Sequence, residues 1–119
     1  MWGKIKIRLS DKLFSQYIRK KNNYICEFCK RFFSEGKGLQ ASHFFSRRYE
    51  NIRFDPENVS CFCISCHKYF HENRKDYVSW KLKKLGKKEY DLLEIRKNLY
   101  KKRDDFMDKL KIKELLKTL

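Results

Sequence analysis

Cys26-Glu27-Phe28-Cys29 and Cys63-Ile64-Ser65-Cys66-His67 carry the same two-residue gap between thiols, with residues 30–62 lying between the pairs. That gap lets both sulfurs of a pair reach one tetrahedral ion from a tight turn, and two such pairs complete a closed four-thiolate zinc site. Cys26, Cys29, Cys63 and Cys66 are therefore the expected ligands of a structural Zn2+. Cys61 lies too close to Cys63 to join easily. It reads as a small buried hydrophobe, with replacement of one ligand as the alternative. The distance between the pairs exceeds that of a simple ribbon, so an insertion is expected inside the staple.

The rest of the composition explains why a staple is needed. The chain has 119 residues, of which 41% are hydrophobic and 38% charged. A core this thin often requires a metal or a disulfide. The start, Met1-Trp2-Gly3-Lys4-Ile5-Lys6, has no apolar secretory core, and no stretch reaches membrane-span length. No membrane role is expected, and the expected compartment is the reducing cytoplasm (of the host cell, if the chain is phage-encoded), where paired cysteines bind metal more often than they oxidise. The net charge of +15, from 30 Lys and Arg against 15 acids, favours a polyanion partner. The alternative is a lysine-rich solvated surface.

Around the insertion the chain reads as one domain, 1–119, with a stapled core over 10–72 and a helical extension over 73–119. Residues 4–9 alternate basic and apolar, which suggests a short strand or arm. Ser10 or Asp11 is the expected cap of a helix containing Leu13, Phe14, Tyr17 and Ile18. A strand is expected around Leu39–Phe45 and a polar loop over 46–60. Helical pattern resumes at Cys66. Asn73 is a candidate cap for a further helix that buries Tyr77, Val78 and Trp80, and Gly86 suits its C-terminal end. Residues 88–118 read as one long helix or two shorter ones, with Leu92, Ile95 and Leu99 as an apolar stripe that Phe106, Leu110 and Met107 continue towards Leu115 and Leu116.

The three histidines cluster on this frame. His43 falls on the expected strand, Asn58 before the second thiol pair, and His67 directly after it. His71 follows four residues later, so a helix sets both imidazoles on one face. The order Cys-x2-Cys, His43, Asn58, Cys-x2-Cys-His67 resembles the HNH nucleases with a ββα-metal core. The closer resemblance is to the phage recombination nucleases of the NinG/Rap type. It is carried by Leu39-Gln40-Ala41-Ser42-His43-Phe44, Arg53-Phe54-Asp55-Pro56-Glu57-Asn58-Val59 and Cys63-Ile64-Ser65-Cys66-His67, and extends over about residues 10–100.

The resemblance implies an α+β fold, a small zinc-stapled ββα-metal core with flanking N-terminal and C-terminal helices. It implies a metal-dependent DNA endonuclease acting on branched recombination intermediates such as Holliday junctions or D-loops. His43 is then the general base. His67, and His71 with it, hold a catalytic Mg2+ or Mn2+, and Asn58 bonds backbone near His43 to fix its tautomer. Ser42 stands where many HNH enzymes carry Asp or His, so the ion is expected to be held weakly or completed by water and phosphate. Arg47, Arg48 and Arg53 are the expected phosphate contacts, since a guanidinium fork matches phosphate oxygens. A homodimer fits an enzyme that cuts two strands. Two alternatives stay open: a non-catalytic zinc-stapled DNA-binding protein, and an HNH nicking or restriction nuclease for linear duplex.

Overall fold

The computed structural model describes residues 6–119. Among them are five α-helices and one two-stranded antiparallel sheet, a small α+β fold. No described helix is long and apolar enough to cross a membrane.

Helix α1 spans Leu9–Lys21 and buries Phe14, Tyr17 and Ile18. It starts earlier than a Ser10 or Asp11 cap would allow. Arg8 is the N-cap residue, and the Asp11 carboxylate accepts its backbone N–H at 2.8 Å, so Asp11 closes the first turn from inside. The expected arm over 4–9 lies partly outside the described residues; residues 6–8 have no regular structure and Leu9 is already helical.

A tight turn carrying Cys26 and Cys29 follows. Strand β1, Leu39–His43, then pairs with β2, Val59–Cys63, with Ala41 opposite Cys61 and His43 opposite Val59. Gly38 enters β1 with φ +91°, and a Cβ there would meet the Phe33 ring at 3.2 Å. β1 stops at His43, two residues before the expected end, and β2 occupies the end of what reads as a polar loop. Every residue of β2 is buried, because helices pack on this small sheet. Two-sided burial removes the alternation by which a strand is recognised.

Helix α2, Ile64–Glu72, leaves β2 without a loop and begins two residues before Cys66. α3 is Arg74–Leu85 and ends at Gly86 with φ +84°. Asn73 sits at its N-cap position, but its side chain donates instead to the Tyr69 carbonyl at 2.8 Å and closes α2. The C-terminal segment is two helices, α4 at Lys87–Lys97 and α5 at Asp105–Lys117. Most of the expected stripe does not face inward; its end, Leu115 and Leu116, packs partly buried against the core. Leu92, Ile95 and Leu99 are 39, 58 and 56% exposed, and Phe106 and Leu110 are exposed as well. α4 buries Leu93 and α5 buries Ile112 and Asp108, so each helix is rotated relative to its most apolar line.

The core is largely aromatic. Phe62 meets Phe70 at 5.1 Å, Phe70 stacks on Tyr77 at 4.9 Å, and Phe44 meets Tyr77 edge-on at 4.9 Å. Phe14, Tyr77 and Ile112 belong to one buried cluster, so α1, α3 and α5 share the core that carries the sheet. Lys81 is buried in this region with its Nζ donating to Ser60 Oγ at 3.1 Å. Burial pushes its ammonium down to about 8.

Candidate metal centre and histidine cleft

The four thiols converge as their spacing requires. Cys26, Cys29, Cys63 and Cys66 place their sulfurs within 4.8 Å of one another, and this group could bind a metal such as zinc. The Cys29 and Cys63 sulfurs are 3.8 Å apart. A tetrahedron with metal–sulfur arms of about 2.3 Å has edges of about 3.8 Å, so the pair fits the ion. The Cys26–Cys29 turn is locked by backbone bonds: Cys26 N–H donates to the Arg31 carbonyl at 3.0 Å and Glu27 N–H to the Cys61 carbonyl at 2.8 Å.

Arg31, which the spacing does not single out, donates to Cys29 Sγ at 3.5 Å and Cys63 Sγ at 3.8 Å. Burial pushes the Cys29 thiol up, but Arg31 and the neighbouring thiols outweigh it and bring the group down to about 6. Cys66 moves the other way, raised by burial and by the adjacent sulfurs. Cys61 is fully buried, outside the ligand group, and pushed up to about 12 by burial. It is the small hydrophobe its position suggests.

His43 ends β1 and lines an open cleft of about 490 Å³ together with His67 and Arg47. His71 and His43 line a smaller adjoining pocket of about 200 Å³. The rings of His67 and His71 are 5.4 Å apart, as one helical turn dictates. His43 Nε2 lies 2.8 Å from the Arg53 carbonyl. A carbonyl only accepts, so Nε2 carries the hydrogen and Nδ1 keeps its lone pair. Nδ1 is buried and has no partner among the described residues, and the same is true of His67 Nδ1. Burial first, then the Arg47 charge, lowers His43 to about 4, so its ring is neutral near pH 7. Burial also lowers His67.

Asn58 is fully buried. Its Oδ1 accepts the Phe45 N–H at 2.8 Å, and its Nδ2 donates to the carbonyls of Phe45 at 3.0 Å and Ile52 at 3.2 Å. It thereby clamps both ends of the 46–52 loop, two residues after His43 and one before Arg53. Ser42 faces away from this chemistry: it is buried, with Oγ 2.8 Å from the Tyr77 hydroxyl.

The three arginines separate. Arg47 lines the cleft with its Nε 3.7 Å from the Asp11 carboxylate. Arg48 is exposed. Arg53 corrects the expectation of a phosphate contact: it is 3% exposed, and Nε and Nη2 donate to Asp11 at 2.9 and 2.6 Å. Nη1 and Nη2 also reach the carbonyls of Arg47 and Lys6. Buried, and with four of its five N–H donors engaged, this guanidinium is not placed to meet DNA. The missing signal was Asp11, 42 residues away, which reads in sequence as a helix cap.

A larger groove of about 740 Å³ lies between α5 and the Glu50–Ile52 turn, lined by Phe54, Met107, Leu110 and Ile112. None of the histidines reaches it. No protein-family model, no curated protein and no solved structure matches the chain.

Proposed function

We propose that the protein is a zinc-stapled, metal-dependent DNA endonuclease of the HNH type. One observation carries this reading. His43 is held as a neutral imidazole whose Nε2–H is donated to Arg53 O, while its buried Nδ1 lone pair lacks a partner among the described residues, in a cleft shared with His67 and Arg47. A neutral imidazole with a free lone pair can accept a proton, the first requirement of a general base.

In this reading His43 Nδ1 takes a proton from water as its oxygen attacks phosphorus. A new P–O bond forms and the bond from phosphorus to the 3′ oxygen breaks. The leaving oxygen takes its proton from solvent, giving a 5′-phosphate and a 3′-hydroxyl. Asn58 supports the base by fixing the loop whose carbonyl holds Nε2–H. Arg47 supplies positive charge to the scissile phosphate. A divalent ion, Mg2+ or Mn2+, would neutralise phosphate charge and stabilise the leaving oxygen.

His67, with an orphaned Nδ1, and the exposed His71 beside it are the protein donors that suit such an ion. Ser42 is committed to Tyr77, and Asp11, the one carboxylate lining the cleft among the described residues, is committed to Arg53. Such an ion would therefore need water and substrate phosphate to complete its ligands, as Mg2+ commonly does. The four-thiol group would hold Zn2+, which would fix the turn before β1 to the start of α2. The net charge of +15 draws in DNA.

The committed Ser42 hydroxyl also favours a second reading, a DNA-binding protein without catalysis. The test uses a four-way junction and a linear duplex of the same sequence, with Mg2+ or Mn2+ and with chelator. Metal-dependent cutting of the junction in excess over the duplex supports a recombination role, for which a homodimer would supply the second cut. Equal cutting of both supports a nicking or restriction enzyme. Binding with no cutting in either metal supports the second reading.

A further inference from the structure

α1 presents different residues to two surroundings. Phe14, Tyr17 and Ile18 go into the core. Lys12, Ser15, Gln16 and Arg19 recur at helical spacing on another face, and all four line the cleft that holds His43 and His67. Lys12 and Gln16 are exposed; Ser15 and Arg19 are half-buried. Arg19 Nε donates to the Ser15 carbonyl at 3.2 Å, which holds the guanidinium along the helix.

The charge of this cleft is one-sided. Lys12, Arg19 and Arg47 are its cations, and Asp11 is the one acid in its lining among the described residues. Burial pushes the Asp11 carboxyl up, but Arg53 and the Arg8 N–H outweigh it and keep it below the ordinary carboxylate range. Its charge is hydrogen-bonded to buried Arg53 and lies 3.7 Å from Arg47 Nε, which leaves Lys12 and Arg19 without an acid in the lining. What faces solvent is a cationic wall with a hydroxyl and an amide between its two ends.

We propose that this face of α1 binds the sugar–phosphate backbone of the strand that enters the His43–His67 cleft. The inference rests on reading that cleft as a nuclease site. Lys12 and Arg19 take flanking phosphates, and Ser15 and Gln16 donate to phosphate oxygens between them. The seven helical steps from Lys12 to Arg19 span about 10 Å. A strand of duplex carries one charge per about 3.4 Å of axis, so the wall matches on the order of three phosphates. Contacts of this kind position a strand without reading its sequence. The occupant is nucleic-acid backbone because the wall is cationic, polar and continuous with the site.

The test measures binding, so it does not depend on cutting. His43→Ala protein is titrated onto fluorescent duplex and four-way junction over a range of salt. Lys12→Ala and Arg19→Gln are added singly and together, and Lys88→Ala, an exposed lysine outside the cleft, controls for net charge. Lys12 is exposed, so its removal leaves the fold intact even if Arg19→Gln loosens it. Each cleft variant is expected to lower the slope of log affinity against log salt by about 1, and the pair by about 2. Lys88→Ala should leave the slope unchanged. Cleft variants that match Lys88→Ala, or a parent that binds neither DNA at low salt, overturn the proposal. If the slopes fall as expected but wild-type protein never cuts, the wall stands and the nuclease reading fails.

Discussion

The Arg53 guanidinium closes on the Asp11 carboxylate through two hydrogen bonds, at 2.9 and 2.6 Å, both side chains almost fully buried. The pair ties α1 to the loop before β2. The same Arg53 holds His43 through its carbonyl oxygen. A buried ion pair and the orientation of the candidate base therefore meet in one residue.

Removing one partner of this pair strands the other charge in the interior. Asp11→Ala is expected to cost about 3–5 kcal/mol of folding stability, the usual range for a broken buried pair. Replacing both residues with apolar ones of similar volume should recover much of that loss. Denaturant unfolding of the single and double variants checks this. A loss under about 1 kcal/mol for Asp11→Ala, the level of an exposed pair, would show that the pair is not a stabilising contact.

The zinc staple is expected to be part of the fold. One zinc ion per chain should be measured by elemental analysis of folded, reduced protein. Cys26→Ser should lose the ion and unfold, because structural zinc contributes folding free energy. Cys61→Ala should keep the ion, since Cys61 is outside the ligand group. Folded protein with no zinc contradicts this.

Arg47 and Arg53 should respond differently to removal. Arg47→Ala is expected to keep the fold and lower the salt slope of DNA binding by about 1. An Arg53 variant should lose stability, with no phosphate contact to lose. Unfolding curves beside salt titrations separate the two outcomes, and a folded Arg53→Ala with a reduced slope would return Arg53 to the DNA surface.

The convergence of the four thiols was legible in the sequence because its signals are local. Two residues between thiols fix a turn, and four residues between His67 and His71 fix a shared helix face. β2 was not legible, because burial on both sides erases its alternation. The α4 and α5 stripes misled for the opposite reason: helical periodicity shows which residues align, but not which line faces inward. The place of Arg53 is not legible because its partner, Asp11, is distant in the chain. In isolation an arginine beside a candidate base reads as a phosphate contact.

His43 should titrate well below a free imidazole. Burial, and then Arg47, lower it to about 4, while the hydrogen bond to Arg53 O and the Asp11 charge oppose that shift and Arg53 adds to it. Between about 4 and the ordinary 6.5 the unfolded chain holds the proton and the folded chain does not. The contribution of His43 to stability therefore rises with pH across that window and is constant above it. Its ring-proton NMR shift should move near pH 4, and Arg47→Ala should raise the midpoint. A midpoint at or above 6.5 contradicts the buried, neutral imidazole.

The central claim is that His43 takes the proton from the attacking water. The most direct measurement is single-turnover cleavage of a four-way junction by wild-type and His43→Ala protein at saturating enzyme, with Mg2+ or Mn2+. The nuclease reading predicts metal-dependent cutting by the wild type. It predicts a loss of roughly 10²–10⁴-fold in the variant, with zinc content, fold and junction affinity unchanged. Cleavage by His43→Ala within a few-fold of wild type would contradict it.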